Sequence, residues 1–257
     1  MRDWNPALYT CFEDERTRPA VELLARVPLQ AAQGVFDLGC GPGNSTELLV
    51  RRFPQASVVG TDNSPAMLEA ARSRLPQVRF ELSDIRTWQA EAADLIYANA
   101  SLQWLPGHDT LLPRLFGMLA PGGVLAVQMP DNLDEPSHRL MRETAADARW
   151  AALIGDAATL RARILPADAY YDLLAPGAAS VDIWRTTYHH RMGSPADIVQ
   201  WLRGTGLKPF VDALPAPLQA EFLHDYEQRI GHAYSRRADG SRLLAFPRLF
   251  IVAQRGA

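Results

Sequence analysis

The sequence predicts an α/β domain wound on both faces of a parallel sheet. Three observations predict it. Short β-branched apolar runs alternate with helix-length segments, a glycine-rich turn joins the first run to the helix after it, and acidic residues stand at the ends of the second and third runs.

The first run, Gly34 to Leu38, leads to a helical stretch from Asn44 to Phe53, and the second, Ser57 to Thr61, to one from Pro65 to Leu75. Pro65 after Asn63-Ser64 marks a helix start, because proline's fixed φ suits the first helical position and its missing N–H leaves no partner unused there. A third run spans Val78 to Leu82 and a fourth Asp94 to Asn99. An amphipathic helix over Asp109 to Leu119 and a turn at Ala120-Pro121-Gly122-Gly123 then feed a fifth, Val124 to Met129. Strands joined through helices run parallel, since the crossover returns the chain to the edge it left.

The second half is less regular. Helices are expected over Glu135 to Trp150, Ala157 to Leu165, Pro195 to Arg203 and Pro217 to Tyr234, around a sixth strand at Val181 to His189, and Arg248 to Gln254 is a last apolar strand. No repeat or low-complexity linker separates these parts. The reading is one domain over 1–257, with an N-terminal segment and ligand-binding core at 1–130, helical cap insertions around strand six within 131–247, and the last strand at 248–254.

A chain of 257 residues can bury a substantial core. The net charge of −3 leaves no broad basic field, so neither nucleic acid nor an anionic membrane is an expected partner. Of the 26 cations only Lys208 is lysine, a bias that also follows from a GC-rich genome. Cys11 and Cys40 show no Cys-x-x-Cys spacing and no nearby His, so no metal site is expected and a reducing cytoplasm fits. The first residues lack the apolar centre of a signal peptide, and no apolar run approaches the ~20 residues of a spanning helix. The expectation is a cytoplasmic monomer or weak dimer acting on a small molecule.

The strongest local signal is Val35-Phe36-Asp37-Leu38-Gly39-Cys40-Gly41-Pro42-Gly43-Asn44, a strand entering a glycine turn and then a helix. Glycines there let a ligand touch bare backbone. The spacing is Gly-x-Gly-x-Gly rather than the Gly-x-Gly-x-x-Gly that cradles a dinucleotide pyrophosphate, so the turn suits a ligand without one. Asp62 ends the second run 19 residues after Gly43, where a carboxylate accepts hydrogen bonds from ribose hydroxyls. Ser83-Asp84-Ile85 brings another acidic side chain to the same edge. A strand-end Asp is more often a helix cap when it stands alone; the ordered set of glycine turn, Asp62 and Asp84 points to a nucleoside ligand.

These residues, Asp37-Leu38-Gly39-Cys40-Gly41-Pro42-Gly43, Asp62 and Ser83-Asp84, resemble the signature of class I S-adenosylmethionine-dependent methyltransferases, a likeness covering residues 30 to 130. The resemblance implies S-adenosylmethionine as cofactor. It implies that Asp37, Gly39, Cys40, Gly41 and Gly43 lie against the methionine part, that Asp62 holds the ribose and Asp84 the adenine amino group, that Asn63, Met67 and Ile85 flank the adenosine, and that Asn99 and Ala100 line the methionine arm. It also implies a Rossmann-like sheet of seven strands, the last of them, Arg248 to Gln254, antiparallel and inserted between strands five and six.

Strings outside the core, among them Trp4-Asn5-Pro6-Ala7-Leu8-Tyr9, Leu102-Gln103-Trp104-Leu105-Pro106, Asp134-Glu135-Pro136-Ser137-His138 and Arg203-Gly204-Thr205-Gly206-Leu207, are similar to the trans-aconitate methyltransferases. That likeness implies a small tricarboxylate substrate, esterified at one carboxylate. The chemistry agrees with it: a carboxylic acid of pKa ~4 is already an anion at neutral pH, so its methylation needs no general base, only positioning and loss of water. A neutral donor suits the reacting oxygen. Trp104, just past the fourth strand, is the candidate, its alternative role being to pack the next helix. Arginines belong on the spectator carboxylates. Arg203, before a flexible Gly204-Thr205-Gly206, and Arg248 are the choices, with Arg16 and Arg18 as alternatives. Tyr9 and Trp4 precede the first helix in a segment placed to cover the cofactor. His189 and His190 alternate across a strand and form no joint metal site.

Two other readings stay open on the sequence alone: the same fold acting on another acceptor, and a non-catalytic protein that binds the cofactor as a sensor. The Asn/Asp-Pro-Pro-Tyr/Phe string typical of base-directed enzymes is replaced by Asn99-Ala100-Ser101-Leu102, and the glycine spacing disfavours a nicotinamide enzyme.

Overall fold

A computed structural model describes residues 13–257; Trp4, Tyr9 and Cys11 lie outside them. The chain divides into two compact units. The described part of the core unit comprises 13–130, 164–186 and 248–257, and that of the second unit 131–163 and 187–247. Residues 164–186 belong to the core unit.

The sheet has seven strands in the order β3-β2-β1-β4-β5-β7-β6. They are β1 (Gly34–Leu38), β2 (Ser57–Asp62), β3 (Arg79–Leu82), β4 (Ala93–Asn99), β5 (Leu119–Pro130), β6 (Ala178–Met192) and β7 (Arg242–Arg255). Strands β3, β2, β1, β4 and β5 pair in parallel, whereas β7 runs antiparallel to β5 and lies between β5 and β6. This is the seven-stranded, mainly parallel architecture expected. The Ala120–Gly123 turn is absorbed into β5 as an irregularity: the register with β4 passes from Ala93↔Leu119 to Leu95↔Val124.

Helices α1 (Glu13–Ala25), α2 (Asn44–Arg52), α3 (Pro65–Arg74), α4 (His108–Gly117) and α7 (Ala167–Leu174) belong to the core unit. Alternation along β4 shows why two faces are covered. Ile96 and Ala98 pack into one apolar cluster with Leu111, Leu112 and Leu115 of α4 and Leu174 of α7. Tyr97, which points the other way, donates from its buried hydroxyl to the Ala20 carbonyl of α1 at 2.6 Å. Asp94 fixes where β1 begins, accepting the amides of Gln33 (2.6 Å) and Gly34 (2.9 Å).

The second unit contains α5 (Pro136–Ala145), α6 (Ala148–Ile154), α8 (Pro195–Arg203), α9 (Lys208–Asp212) and α10 (Ala216–Ala233). Trp150 meets Phe222 edge-on at 5.5 Å, and its indole N–H donates to Asp225 at 3.0 Å. Tyr226 of α10 donates to the Ser137 carbonyl at 2.8 Å, and the Ser137 amide donates to the Tyr234 hydroxyl at 3.1 Å. Both bonds are buried, so the α5 start and α10 are tied by groups that water cannot replace.

Two expectations fail here, one through a partner distant in sequence and one through a local turn. The single helix over Glu135 to Trp150 is two helices, because Asp147 is extended (φ −60, ψ 143), pairs with Arg229 of α10 and starts α6. No helix forms over Ala157 to Leu165. The Asp156 carboxylate accepts the Ala158 amide at 2.9 Å and the Thr159 hydroxyl donates to the Asp156 carbonyl at 2.8 Å, a side-chain turn that competes with helix. Pro166 then disfavours helix at Leu165 and becomes the cap of α7.

The Tyr226 to Ser137 bond generates a prediction. Tyr226→Phe leaves a buried carbonyl without its donor and is expected to lower stability by about 1 to 3 kcal/mol, read from urea denaturation. A loss below about 0.3 kcal/mol would mean that the carbonyl finds another donor.

Candidate active site

The glycine turn leaves β1 under two restraints. The amides of Gly39 and Cys40 both donate to the Thr61 carbonyl of β2, at 2.8 and 2.9 Å. Ser101, past the end of β4, donates its hydroxyl to the Leu38 carbonyl at 2.7 Å. A Cβ on Gly39 would stand 2.3 Å from that of Ser101, so only glycine allows this approach. Gly41 is also left-handed (φ 54), but nothing lies within 4 Å of where its Cβ would be. Gly41 therefore offers a stretch of bare backbone with open space beside it, which is what a ligand loop needs. Gly43 caps α2 in the left-handed conformation (φ 91).

Asp37 is fully buried beneath this turn. One oxygen accepts both the Ser45 hydroxyl (2.7 Å) and the Thr46 hydroxyl (2.6 Å) from the first turn of α2; the other, also buried, accepts no hydrogen bond. Burial raises its pKa from an ordinary 3.8 to about 6, against the two hydroxyls, which lower it, and with a smaller push from the Asp62 charge. Asp37 braces the turn from below. Cys40 points away from the open side and packs with Leu68, Ala71, Leu75 and Phe80, where burial pushes its thiol pKa up. What Cys40 leaves to the open side is its backbone.

Asp62 is half-buried at the end of β2, and its two oxygens accept the amides of Gly41 and Ser64, each at 2.9 Å. Ser64 in turn caps α3 by accepting the Met67 amide at 3.2 Å. Asn63 is exposed and Met67 buried. Asp84 is gripped by its neighbour Arg86, whose guanidinium and amide hold the carboxyl below the usual range. Ile85 packs partly into the core, and its carbonyl accepts from Arg114 at 2.6 Å.

The β4 exit forms the other side. The Asn99 Oδ1 is buried without a hydrogen bond. Ala100 is left-handed (φ 55), a conformation costing a non-glycine residue about 1 to 3 kcal/mol. It is held there by its amide donating to the Gln128 carbonyl (2.8 Å) and by Gln103 donating to its own carbonyl (2.6 Å). Trp104 is half-exposed and ends the 3-10 turn Leu102–Trp104. Arg248 reaches the same region: β5 pairs Asn99 with Gln128 on one side and Pro130 with Arg248 on the other, and Arg248, buried, donates to the Gln128 side-chain oxygen at 3.1 Å. Gln128 escapes the sequence reading, although a lone amide inside the apolar run Val124–Met129 is a signal. Arg203 lies in the second unit, exposed at the end of α8, where any cation suits the helix dipole. Arg18 pairs with Glu22 along α1.

Acceptors gather around the glycine turn: the Asp62 carboxylate, the Asp84 carboxylate paired with Arg86, and the orphaned Asn99 oxygen, with Asp37 beneath. Such a set fits ribose hydroxyls and a cationic amine or sulfonium, and opposes a pyrophosphate.

Comparison with known proteins bears on the fold and the family. A methyltransferase-domain family model matches residues 35–123. Among solved structures, the YcgJ protein of Bacillus subtilis superposes with a TM-score of 0.60 at 11% identity, covering 93% of this chain and 99% of that one. The Haemonchus contortus phosphoethanolamine N-methyltransferase 2, in complex with phosphomonomethylethanolamine and S-adenosylhomocysteine, superposes at 0.57 with 15% identity, covering 93% of this chain and 53% of that one. Fold and site together define a class I methyltransferase. The trans-aconitate 2-methyltransferases of Variovorax paradoxus and Methylobacterium radiotolerans are 68% and 65% identical to the chain over the full length of both partners, and that of Yersinia pestis is 58% identical over 98% of each. The chain belongs to this family of trans-aconitate 2-methyltransferases.

The buried Asp37 carries a pH signature. Its folded pKa is raised, so the folded protein holds this proton more tightly than the unfolded chain, and the stability it adds is present below pH 3.8 and lost as pH rises to about 6. The stability of the wild type minus that of Asp37→Asn is expected to fall by about 2 to 3 kcal/mol between pH 4 and pH 7 and then to level off. Urea denaturation of both proteins across that range measures it; a difference independent of pH would show that Asp37 ionises as freely folded as unfolded.

Proposed function

We propose that this protein transfers the methyl group of S-adenosylmethionine to one carboxylate of trans-aconitate, giving the methyl ester and S-adenosylhomocysteine. The observation that carries the reading is the 68% identity over both full chains, which includes the second unit as well as the glycine turn. S-adenosylmethionine, when bound, supplies an electrophilic methyl on a sulfonium.

The residues divide the work as follows. Asp62 accepts the ribose hydroxyls while its Gly41 and Ser64 bonds keep it aimed, and the backbone at Gly39 and Gly41 lies against the methionine part with Asp37 beneath. Asp84 takes the adenine amino group, with Asn63, Met67 and Ile85 around the adenosine. The buried Asn99 oxygen and Ala100 line the methionine arm. Trp104 offers an indole N–H, a neutral donor, to the reacting carboxylate. Arg248 binds a spectator carboxylate, where its charge adds affinity without holding back the oxygen that must lose its own charge.

No step moves a proton, so no base is assigned. His108 has both ring nitrogens engaged, with the Tyr170 hydroxyl at 2.5 Å and the Leu102 carbonyl at 2.9 Å.

Incubation of the purified protein with S-adenosylmethionine and trans-aconitate, followed by mass spectrometry, is expected to give a monomethyl ester; its absence, with ester or amine formed on another acceptor, would sink the reading. Asp62→Ala is expected to weaken S-adenosylmethionine binding by about 1.5 to 3 kcal/mol and Asp62→Asn by less. An unchanged dissociation constant in a folded Asp62→Ala protein removes Asp62 from the site. At saturating substrates kcat is expected to stay flat from about pH 7 to 9, because the nucleophile is ionised throughout. A slope of one in that range, with methyl transfer rate-limiting, would restore a base and a hydroxyl or amine acceptor.

A further inference from the structure

Gln128 interrupts the apolar run of β5. Its neighbours Val124, Leu125, Ala126, Val127 and Met129 are all fully buried, and so is the amide. Leu125, Val127 and Met129 pack into the apolar cluster that also takes Ile96 and Ala98 of β4 and Leu249 and Ile251 of β7. Strand alternation therefore puts Gln128 on the opposite face, in one row with its register partners Asn99 on β4 and Phe250 on β7. Asn99, Gln128 and Arg248 all belong to the core unit.

Two bonds fix this residue. Its carbonyl accepts the Ala100 amide at 2.8 Å, and its side-chain oxygen accepts from Arg248 Nη1 at 3.1 Å. A guanidinium only donates, so Arg248, whatever else it binds, selects the Oε1 end of the amide and leaves it the Nε2 end to satisfy elsewhere. That Nε2 is buried and finds no acceptor among the described residues. An amide N–H taken from water without an acceptor destabilises a fold, and a methionine of similar length would fill the same apolar space without that cost. Packing thus explains the amide poorly; a ligand that brings an acceptor explains it well. The Asn99 oxygen on the next strand is its counterpart, a buried acceptor without a donor.

The order of strands points to the part of the reaction concerned. On the reading above, the adenosine lies by the ends of β2 and β3 and the methionine arm by those of β1 and β4. Strand β5 is next beyond β4, about 4.8 Å further from the adenosine, on the side where the methyl would leave the cofactor. The unpaired ends are sorted to match, an acceptor at Asn99 beside the cationic cofactor and a donor at Gln128 one strand further out. We propose that Gln128 is a specificity-determining residue for the methyl acceptor, its Nε2 donating to a carboxylate oxygen of the acid while Arg248 holds its other end. The identity of the acid rests on the carboxyl-methyltransferase reading above; the demand for an acceptor rests on the amide itself. Being neutral, this donor can serve a reacting or a spectator carboxylate without the ion pair that would hold back the reacting charge.

Two substitutions separate the ends of the amide. Gln128→Met removes both, whereas Gln128→Glu keeps an acceptor for Arg248 and replaces the donor with a charge of the acid's own sign. The full-length protein, loaded with S-adenosylhomocysteine, is titrated calorimetrically with trans-aconitate, with steady-state kinetics and urea denaturation alongside. Both variants are expected to raise Kd and KM for trans-aconitate about tenfold or more, as loss of a hydrogen bond to a charged group does. The Glu variant should lose at least as much as the Met variant, and affinity for S-adenosylhomocysteine should change less than about twofold. A purely structural amide would lower the denaturation midpoint and leave Kd alone in the folded variants, which overturns the proposal. Binding at the wild-type level by Gln128→Glu but not by Gln128→Met also overturns it, because Gln128 then acts only by holding Arg248. Loss of cofactor affinity in place of acid affinity does the same, giving the donor to the methionine carboxylate. If the wild type binds trans-aconitate through Gln128 but forms no ester, the substrate reading fails and the binding role stands. If it forms the ester and both variants bind the acid as tightly as the wild type, the substrate reading stands and this proposal fails.

Discussion

Asp62 accepts the amide of Gly41 through one oxygen and that of Ser64 through the other, so one carboxylate fixes both the left-handed turn leaving β1 and the start of α3. The rest of the candidate site depends on that pair of bonds. The turn stays open only while Gly41 holds its positive φ, and α3 presents Met67 only while Ser64 caps it. Asp37 does the complementary work from below, joining β1 to the first turn of α2 through two hydroxyls. A buried carboxylate at a helix N-terminus gains from the dipole, but burial outweighs that gain, as its raised pKa shows.

Much of this was readable from the chain because it rests on local rules. Glycine at 39, 41 and 43, the proline after Ser64 and the strand-end Asp62 each constrain backbone that only a few residue types satisfy. The seventh strand could be placed beside the fifth only through the resemblance, since nothing in Arg248 to Gln254 states its neighbours. What escaped the reading lies where the partner that a side chain finds, near or distant in sequence, overrides composition. Ala157 to Leu165 has helix-forming composition, yet the Asp156 turn and Pro166 prevent the helix. Asp147 breaks a predicted helix where it meets Arg229, a partner distant in sequence. Gly206 reads from the sequence as part of a flexible Gly204-Thr205-Gly206, whereas its missing side chain makes room for His138.

The arginines show the same limit more sharply. From sequence, Arg203 and Arg248 could be ranked only by their position relative to glycines and strands. Structure separates them by surroundings: Arg248 is buried beside Gln128 and next to the Asn99 register, whereas Arg203 is exposed at a helix end. A guanidinium acquires meaning from whether its partners neutralise it, and Arg142 binds carbonyls where Arg163 binds a carboxylate.

That difference bears on how a carboxyl methylation would be run without a base. The reaction brings a cationic sulfonium and an anionic oxygen together and leaves both neutral, so water, which solvates the charges better than the products, opposes it. An acceptor-rich edge around the glycine turn would stabilise a cationic cofactor but would also repel an approaching polyanion. The repulsion must be met by cations elsewhere on the acid, and these raise rate only if they stay off the reacting oxygen, because an ion pair there strengthens the ground state over the transition state. A neutral indole for the reacting carboxylate and guanidinium forks for the others satisfy both demands. On that logic a polycarboxylate is a better substrate than a monocarboxylate for a reason separate from shape: its spectator charges supply the binding energy that the reacting charge cannot be allowed to use.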